Sequence, residues 1–150
     1  MSASQVRILT GTEFARAYVH AALIGLDGEK MSKSKGNLVF VSNLISQGVN
    51  PMAIRWALLK RPYRQEYIWM RSETDIAQTE IDKIIRKMHS SDIPPTTDLI
   101  HKIYSFIAND LNSAAAIDAI NEWASIEGHG GDADLLRRVI DGLLGISLAA

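Results

Sequence analysis

The chain has 150 residues, 47% hydrophobic and 22% charged, with 4 Pro, 10 Gly, no Cys and a formal net charge of -1. Such a length supports one well-buried core, and the balance of apolar and charged residues is that of a globular chain, not a disordered or fibrous one. Without cysteine there is no disulfide, thiol nucleophile or thiolate-bound metal, and the near-zero charge gives no global attraction for a polyanion. No apolar run reaches the roughly 20 residues that span a bilayer, and the N-terminus has no basic-then-apolar leader pattern, so a cytoplasmic protein without membrane contact is expected.

The first segment reads two ways. Thr12 and Glu13 could open a short helix through Ala17, while Tyr18 to Ile24 has the aromatic and branched content of a buried strand, predicted from Tyr18 to Ile24. Asp27-Gly28 suits a tight turn. Glu29 to Asn37 is dominated by Lys, Ser and Gly with no periodicity, which marks a surface loop. Leu38 to Val41 is predicted as a short extended segment, followed by a short helix capped by Ser42 that ends before Gly48.

From Asn50 onward the pattern is helical. Asn50-Pro51 is a start signal, since Asn caps free amides and Pro at the first position costs no intrahelical bond, and that helix should end before Pro62. Tyr63 to Trp69 is expected to be irregular. A long helix from Ser72 to His89 carries the stripe Ala77, Ile81, Ile84, Ile85 and Met88. Leu99, Ile100, Ile103, Tyr104 and Ile107 mark the next helix. Asn112 or Ser113 caps another, with Ala116, Ile117 and Ile120 facing inward, and Leu135 to Leu144 completes the set. Amphipathic helices on short links predict an antiparallel bundle over 50–150, set apart from a loop-rich front at 1–49. Trp56, Trp69 and Trp123 fall at positions for core or interface anchors.

Charge is distributed unevenly. Between Asp27 and Arg64 there are seven cations, Lys30, Lys33, Lys35, Arg55, Lys60, Arg61 and Arg64, against two acids, whereas seven acids face Arg137 and Arg138 from Asn109 onward. The basic stretch could hold an anion or could simply be a solvated face. Within it lies Lys30-Met31-Ser32-Lys33-Ser34, followed by Lys35-Gly36-Asn37. Two lysines three apart, interleaved with hydroxyls and followed by Gly, suit a polyphosphate, because each ammonium is a point charge, each serine can donate, and glycine admits close backbone approach.

This stretch resembles the KMSKS signature of the class I aminoacyl-tRNA synthetases at all five positions. In that family the loop belongs to a Rossmann-type catalytic domain and closes over ATP. Gly25-Leu26-Asp27-Gly28-Glu29 before the signature and Gly36-Asn37-Leu38-Val39-Phe40-Val41-Ser42 after it are similar to the cysteinyl branch. So are Gly48-Val49-Asn50-Pro51, Asp110-Leu111-Asn112-Ser113, Glu122-Trp123-Ala124 and Leu143-Leu144-Gly145-Ile146. That branch comprises cysteinyl-tRNA synthetases and the cysteine:glucosaminyl-inositol ligases of mycothiol biosynthesis, and the chain is more similar to the ligases.

The resemblance implies a mainly α fold: a C-terminal antiparallel helical bundle, preceded by the signature loop and a short strand left over from the Rossmann-type domain. It implies that Lys33 contacts ATP phosphates and Lys30 helps hold the loop closed, both neutralising charge during catalysis. Ser32 and Ser34 would be secondary donors. Ile24 would lie at the adenine, or alternatively would be an ordinary buried strand residue. Arg55, Arg61 and Arg64 could face the sugar or serve helix solubility. The implied parent uses ATP to activate cysteine as cysteinyl-AMP and joins it to the amine of glucosaminyl-inositol. The family's HIGH signature and its zinc ligands lie in an N-terminal half, the implied partner of this chain, so no metal is expected here and the chain alone is expected to be inactive. Cysteinyl-tRNA synthetase, with tRNA as partner, and a non-catalytic helical interaction module are the alternatives.

Overall fold

A computed structural model describes residues 2–26 and 28–148 of the chain. Among them are seven helices and three strands, a mainly helical fold with one small sheet. In order these are α1 (Ser2–Thr10), β1 (Ile24–Leu26), β2 (Glu29–Lys30), α2 (Val41–Ser46), α3 (Pro51–Leu59), β3 (Tyr67–Trp69), α4 (Glu73–Met88), α5 (Thr97–Ala108), α6 (Ser113–Trp123) and α7 (Ala133–Leu144).

The sheet has the order β2-β1-β3. β1 and β2 form an antiparallel hairpin pairing Gly25 with Lys30 and Leu26 with Glu29. β1 and β3 run parallel, pairing Ile24 with Tyr67 and Leu26 with Trp69. A parallel pair requires a crossover, supplied here by the stretch that holds the loop, α2 and α3. The hairpin is tight enough that a Cβ on Gly25 would lie 2.8 Å from the Glu29 carbonyl oxygen and 2.9 Å from Ile68 Cδ1, so only glycine fits.

The front of the chain departs from its sequence pattern. The expected strand from Tyr18 to Ile24 is displaced: regular pairing starts at Ile24, and residues 18–23 are outside any strand. Strands are stabilised by partners, and β3, in a stretch whose pattern reads as irregular, reaches only Ile24 to Leu26. Ala22 still donates its N–H to the Tyr63 carbonyl at 2.8 Å. The short helix that Thr12 and Glu13 could open does not form, since residues 12–17 hold no helix, and α1 at Ser2–Thr10 is one that the sequence pattern did not indicate. Leu38 to Phe40 joins no ladder, and Phe40 rather than Ser42 precedes α2, without a side-chain cap.

From Asn50 the helices follow their signals. Asn50 accepts a hydrogen bond from Met52 N–H at 2.9 Å with Pro51 at the first position, and Asn112 accepts from Ala115 N–H at 3.1 Å. Ala77, Ile81, Ile84 and Met88 of α4 are buried as their spacing requires, with Ile85 half-buried. They join Trp56, Trp69, Ile103, Ile117, Ile120, Trp123, Leu136 and Ile140 in one continuous core. Tyr104 and Leu135 lie outside it, exposed. Ile24, Leu26, Met31 and Val39 pack against the same core, so the sheet and the roots of the loop rest on the helices.

Buried polar groups at the helix contacts are paired across elements. Trp56 Nε1 and Lys60 Nζ each donate to one oxygen of Glu80, at 2.7 and 2.6 Å. Burial pushes the Glu80 carboxyl up, but the Lys60 and Trp56 hydrogen bonds outweigh it and hold the group below its ordinary value. Ser113 Oγ donates to the Leu59 carbonyl at 2.8 Å, satisfying one of the unpaired oxygens at the end of α3. No helix among the described residues is long and apolar enough to cross a membrane.

Candidate functional site

The loop that follows β2 is braced from within. Asn37 Oδ1 accepts from Ser32 N–H at 2.9 Å, and Asn37 Nδ2 donates to the Lys30 carbonyl at 3.3 Å. Ser32 Oγ accepts from Lys35 N–H at 3.3 Å and lies 3.2 Å from Ser34 Oγ. Gly36 N–H closes the turn onto the Lys33 carbonyl at 3.2 Å. Ser32 is therefore a cap inside the loop, an arrangement Ser readily makes with nearby amides. Its hydroxyl is also hydrogen-bonded to that of Ser34, with either serine able to donate.

The basic stretch resolves into paired and unpaired cations. Lys35 meets Glu29 at 2.8 Å, Lys60 meets Glu80 at 2.6 Å, and Arg64 meets Asp110 at 2.8 Å. Arg61 Nη2 lies 3.6 Å from Glu73 Oε1, an ion pair too long for a hydrogen bond, and also stands 5.6 Å from the centre of the Tyr67 ring. Arg55 donates from Nε to the Leu144 carbonyl at 2.6 Å. Lys30 and Lys33 are exposed and make no ion pair among the described residues. Sequence charge counting treats all seven cations alike; folding leaves Arg55, Lys30 and Lys33 without a counter-charge among the described residues, and of these Arg55 is engaged at the Leu144 carbonyl, so the two signature lysines are the ones left exposed.

Ile24 and Lys30 line one open cleft of about 350 Å³ together with Leu23, Gly25, Glu66 and Tyr67. Lys33, Ser32 and Ser34 are on the adjoining loop and do not line it. Ile24 is half-buried at the start of β1 and paired with Tyr67, so it is a strand residue that also faces a cavity of ligand size. The Tyr67 hydroxyl is buried with no hydrogen-bond partner, and burial, with the Glu73 charge adding to it, pushes its pKa up to about 12. Asn37 and the pair Tyr63–Asp110 are the organising residues that sequence reading missed. Gly36-Asn37 after the signature could have flagged the first; nothing in a string of letters brings Asp110 to Tyr63.

With no cysteine in the sequence, and no three His, Asp or Glu gathered among the described residues, these side chains do not fit a zinc cage. Two exposed ammonium groups and two hydroxyls on one loop are the kinds of group that can meet an anion.

Residues 2–81 match the family model described as tRNA synthetases class I (C) catalytic domain. The chain belongs to this family. Among its curated relatives is an enzyme of Streptomyces coelicolor named L-cysteine:1D-myo-inositol 2-amino-2-deoxy-alpha-D-glucopyranoside ligase, 44% identical over 99% of the chain. Proteins of the same name from Rhodococcus erythropolis and Kribbella flavida are 45% and 46% identical over 98% and 99% of it. The chain spans 38%, 37% and 37% of the lengths of these three relatives.

Proposed function

We propose that the chain supplies the phosphate-facing loop, and the helices that support it, of an ATP-dependent ligase that joins cysteine to the amine of a glucosaminyl-inositol. The observation that carries this reading is the pair Lys30 and Lys33, exposed without ion-pair partners among the described residues on an internally braced loop. The names of the relatives supply the acceptor.

In the first step a carboxylate oxygen of cysteine bonds to the α-phosphorus of ATP while the bond to pyrophosphate breaks, giving cysteinyl-AMP. Negative charge builds on the departing pyrophosphate, and Lys33 with Lys30 neutralises it without taking a proton or forming a bond. In the second step the sugar amine attacks the acyl carbon, the bond to AMP breaks, and the nitrogen loses a proton to leave an amide. Ile24 borders the cleft for the adenine, while Ser32 and Ser34 donate to phosphate oxygens. In this scheme residues 1–49 form the edge of a Rossmann-type catalytic domain and 50–150 an antiparallel bundle that braces it. An N-terminal half carries the HIGH signature and the zinc ligands, and the assembly is cytoplasmic.

Cysteine-dependent ATP–pyrophosphate exchange by the complete enzyme tests the first step. Lys33→Ala is expected to slow it by about 100- to 1000-fold, the cost of removing one preorganised charge donor, with the KM for cysteine nearly unchanged. An unchanged rate would remove the role of Lys33, and vigorous exchange by the 150-residue chain alone would reject the division of labour. The matched family's description as a tRNA synthetase domain favours a second reading, cysteinyl transfer to tRNA. Offering the complete enzyme both acceptors decides between amide and aminoacyl ester.

A further inference from the structure

We propose that Asn37 is the positioning residue of the signature loop, a role that rests on the ATP-dependent reading above and names the group that sets its geometry. The carbonyl of one strand residue and the amide of the residue two further on share an edge, where a neighbouring strand would bond both. β2 ends at Lys30, and there the Asn37 carboxamide takes the place of that neighbour, donating to the Lys30 carbonyl at 3.3 Å and accepting from Ser32 N–H at 2.9 Å. Only one orientation satisfies both bonds, because a flipped amide would set its NH2 against an N–H and its oxygen against a carbonyl.

The clasp closes the neck of the loop, so that part of the ordering entropy is spent in folding instead of at the phosphates. Inside the neck, Ser32 Oγ and the Lys33 carbonyl hold the Lys35 and Gly36 amides, and Lys33 sits on a braced turn. Lys35 is drawn back to Glu29 at 2.8 Å, away from that role. The carboxamide is also neutral. It orders two lysines without offering them a charge that would compete with a phosphate.

The experiment uses the complete enzyme and reads hydrogen exchange across residues 30–37 beside cysteine-dependent ATP–pyrophosphate exchange. Asn37→Ala is expected to speed exchange of the loop amides and to lower kcat by about 10- to 100-fold, the penalty for a group misplaced by about an ångström. KM for cysteine and Tm should stay at wild-type values. Asn37→Asp, which keeps the acceptor for Ser32 but lacks the donor for Lys30, should fall between. A loosened loop with unchanged kcat overturns the positioning role, and unchanged loop exchange overturns the clasp. A fall in Tm that accounts for the loss of rate in both variants assigns Asn37 to folding instead. If the wild-type enzyme shows no cysteine-dependent exchange, the ligase reading fails and takes the phosphate role of Asn37 with it, while the clasp is still read from hydrogen exchange.

Discussion

Asp110 and Leu111 both adopt positive φ, 53° and 55°, a left-handed conformation that non-glycine residues occupy at a cost. The contacts of the Asp110 carboxylate show what holds it there. Tyr63 Oη donates to it at 2.7 Å, Arg64 Nε at 2.8 Å and Arg64 Nη2 at 3.1 Å, and the Arg64 guanidinium lies 4.8 Å from the centre of the Tyr63 ring. The Arg64 and Tyr63 hydrogen bonds lower the Asp110 pKa from 3.8 to about 2. A carboxyl depressed by folding contributes stability above its unfolded value and loses it as pH falls through the folded one. The difference in Tm between wild type and Asp110→Asn should therefore be full above pH 3.8 and close as pH drops toward about 2. Melts at a series of pH values check this, and a gap independent of pH would show that the ionised carboxylate is not the stabilising group.

At the scale of elements, the end of α7 shows how two distant helices hold one another. Gly145 follows the helix with φ 63°, and Arg55 of α3 donates to the Leu144 carbonyl beside it. A Cβ at residue 145 would stand 2.7 Å from Arg55 Nη2 and 3.0 Å from its Nε, so the guanidinium would have to shift at the carbonyl it caps. Gly145→Ala should cost about 1–2 kcal/mol for the left-handed residue, with the lost contact in addition. Urea unfolding measures it, and Arg55→Ala/Gly145→Ala should cost less than the two single changes summed, because they share the contact. The helices from Asn50 onward were legible because caps and periodicity are local. β3 was not: Tyr67 to Trp69 has strand-favouring side chains but is only three residues long, too short to show an alternating pattern, and becomes a strand through its pairing with β1.

At the scale of the whole molecule, apolar exposure is greatest at the front. The helices bury one continuous core, whereas the front exposes Phe14, Tyr18, Val19 and Leu23, along with Ile8 and Leu9 at 82% and 84%. Ile76 and Tyr104 on the helices are exposed as well, but Ile8 and Leu9 are the most exposed large apolar side chains among the described residues, which makes the front the apolar face to be covered. In the proposed assembly the rest of the catalytic domain covers it. The isolated chain should accordingly bind a hydrophobic dye, and replacing Ile8 and Leu9 with Ser should reduce the signal without lowering Tm, since neither side chain is in the core. A dye signal unchanged by those substitutions would place the sticky surface elsewhere.

By itself the sequence determined the mainly helical class, the capped start at Asn50, a second start at Asn112 or Ser113, most of the α4 stripe and the string Lys30 to Ser34, because each depends on residues close together along the chain. Tertiary structure decided which cations stay unpaired, where the front strand forms, and how the loop is held. Arg64 with Asp110, and Ile24 with Tyr67, are neighbours only after folding. Pairing energy belongs to groups brought together in space, and separation along the backbone does not record it.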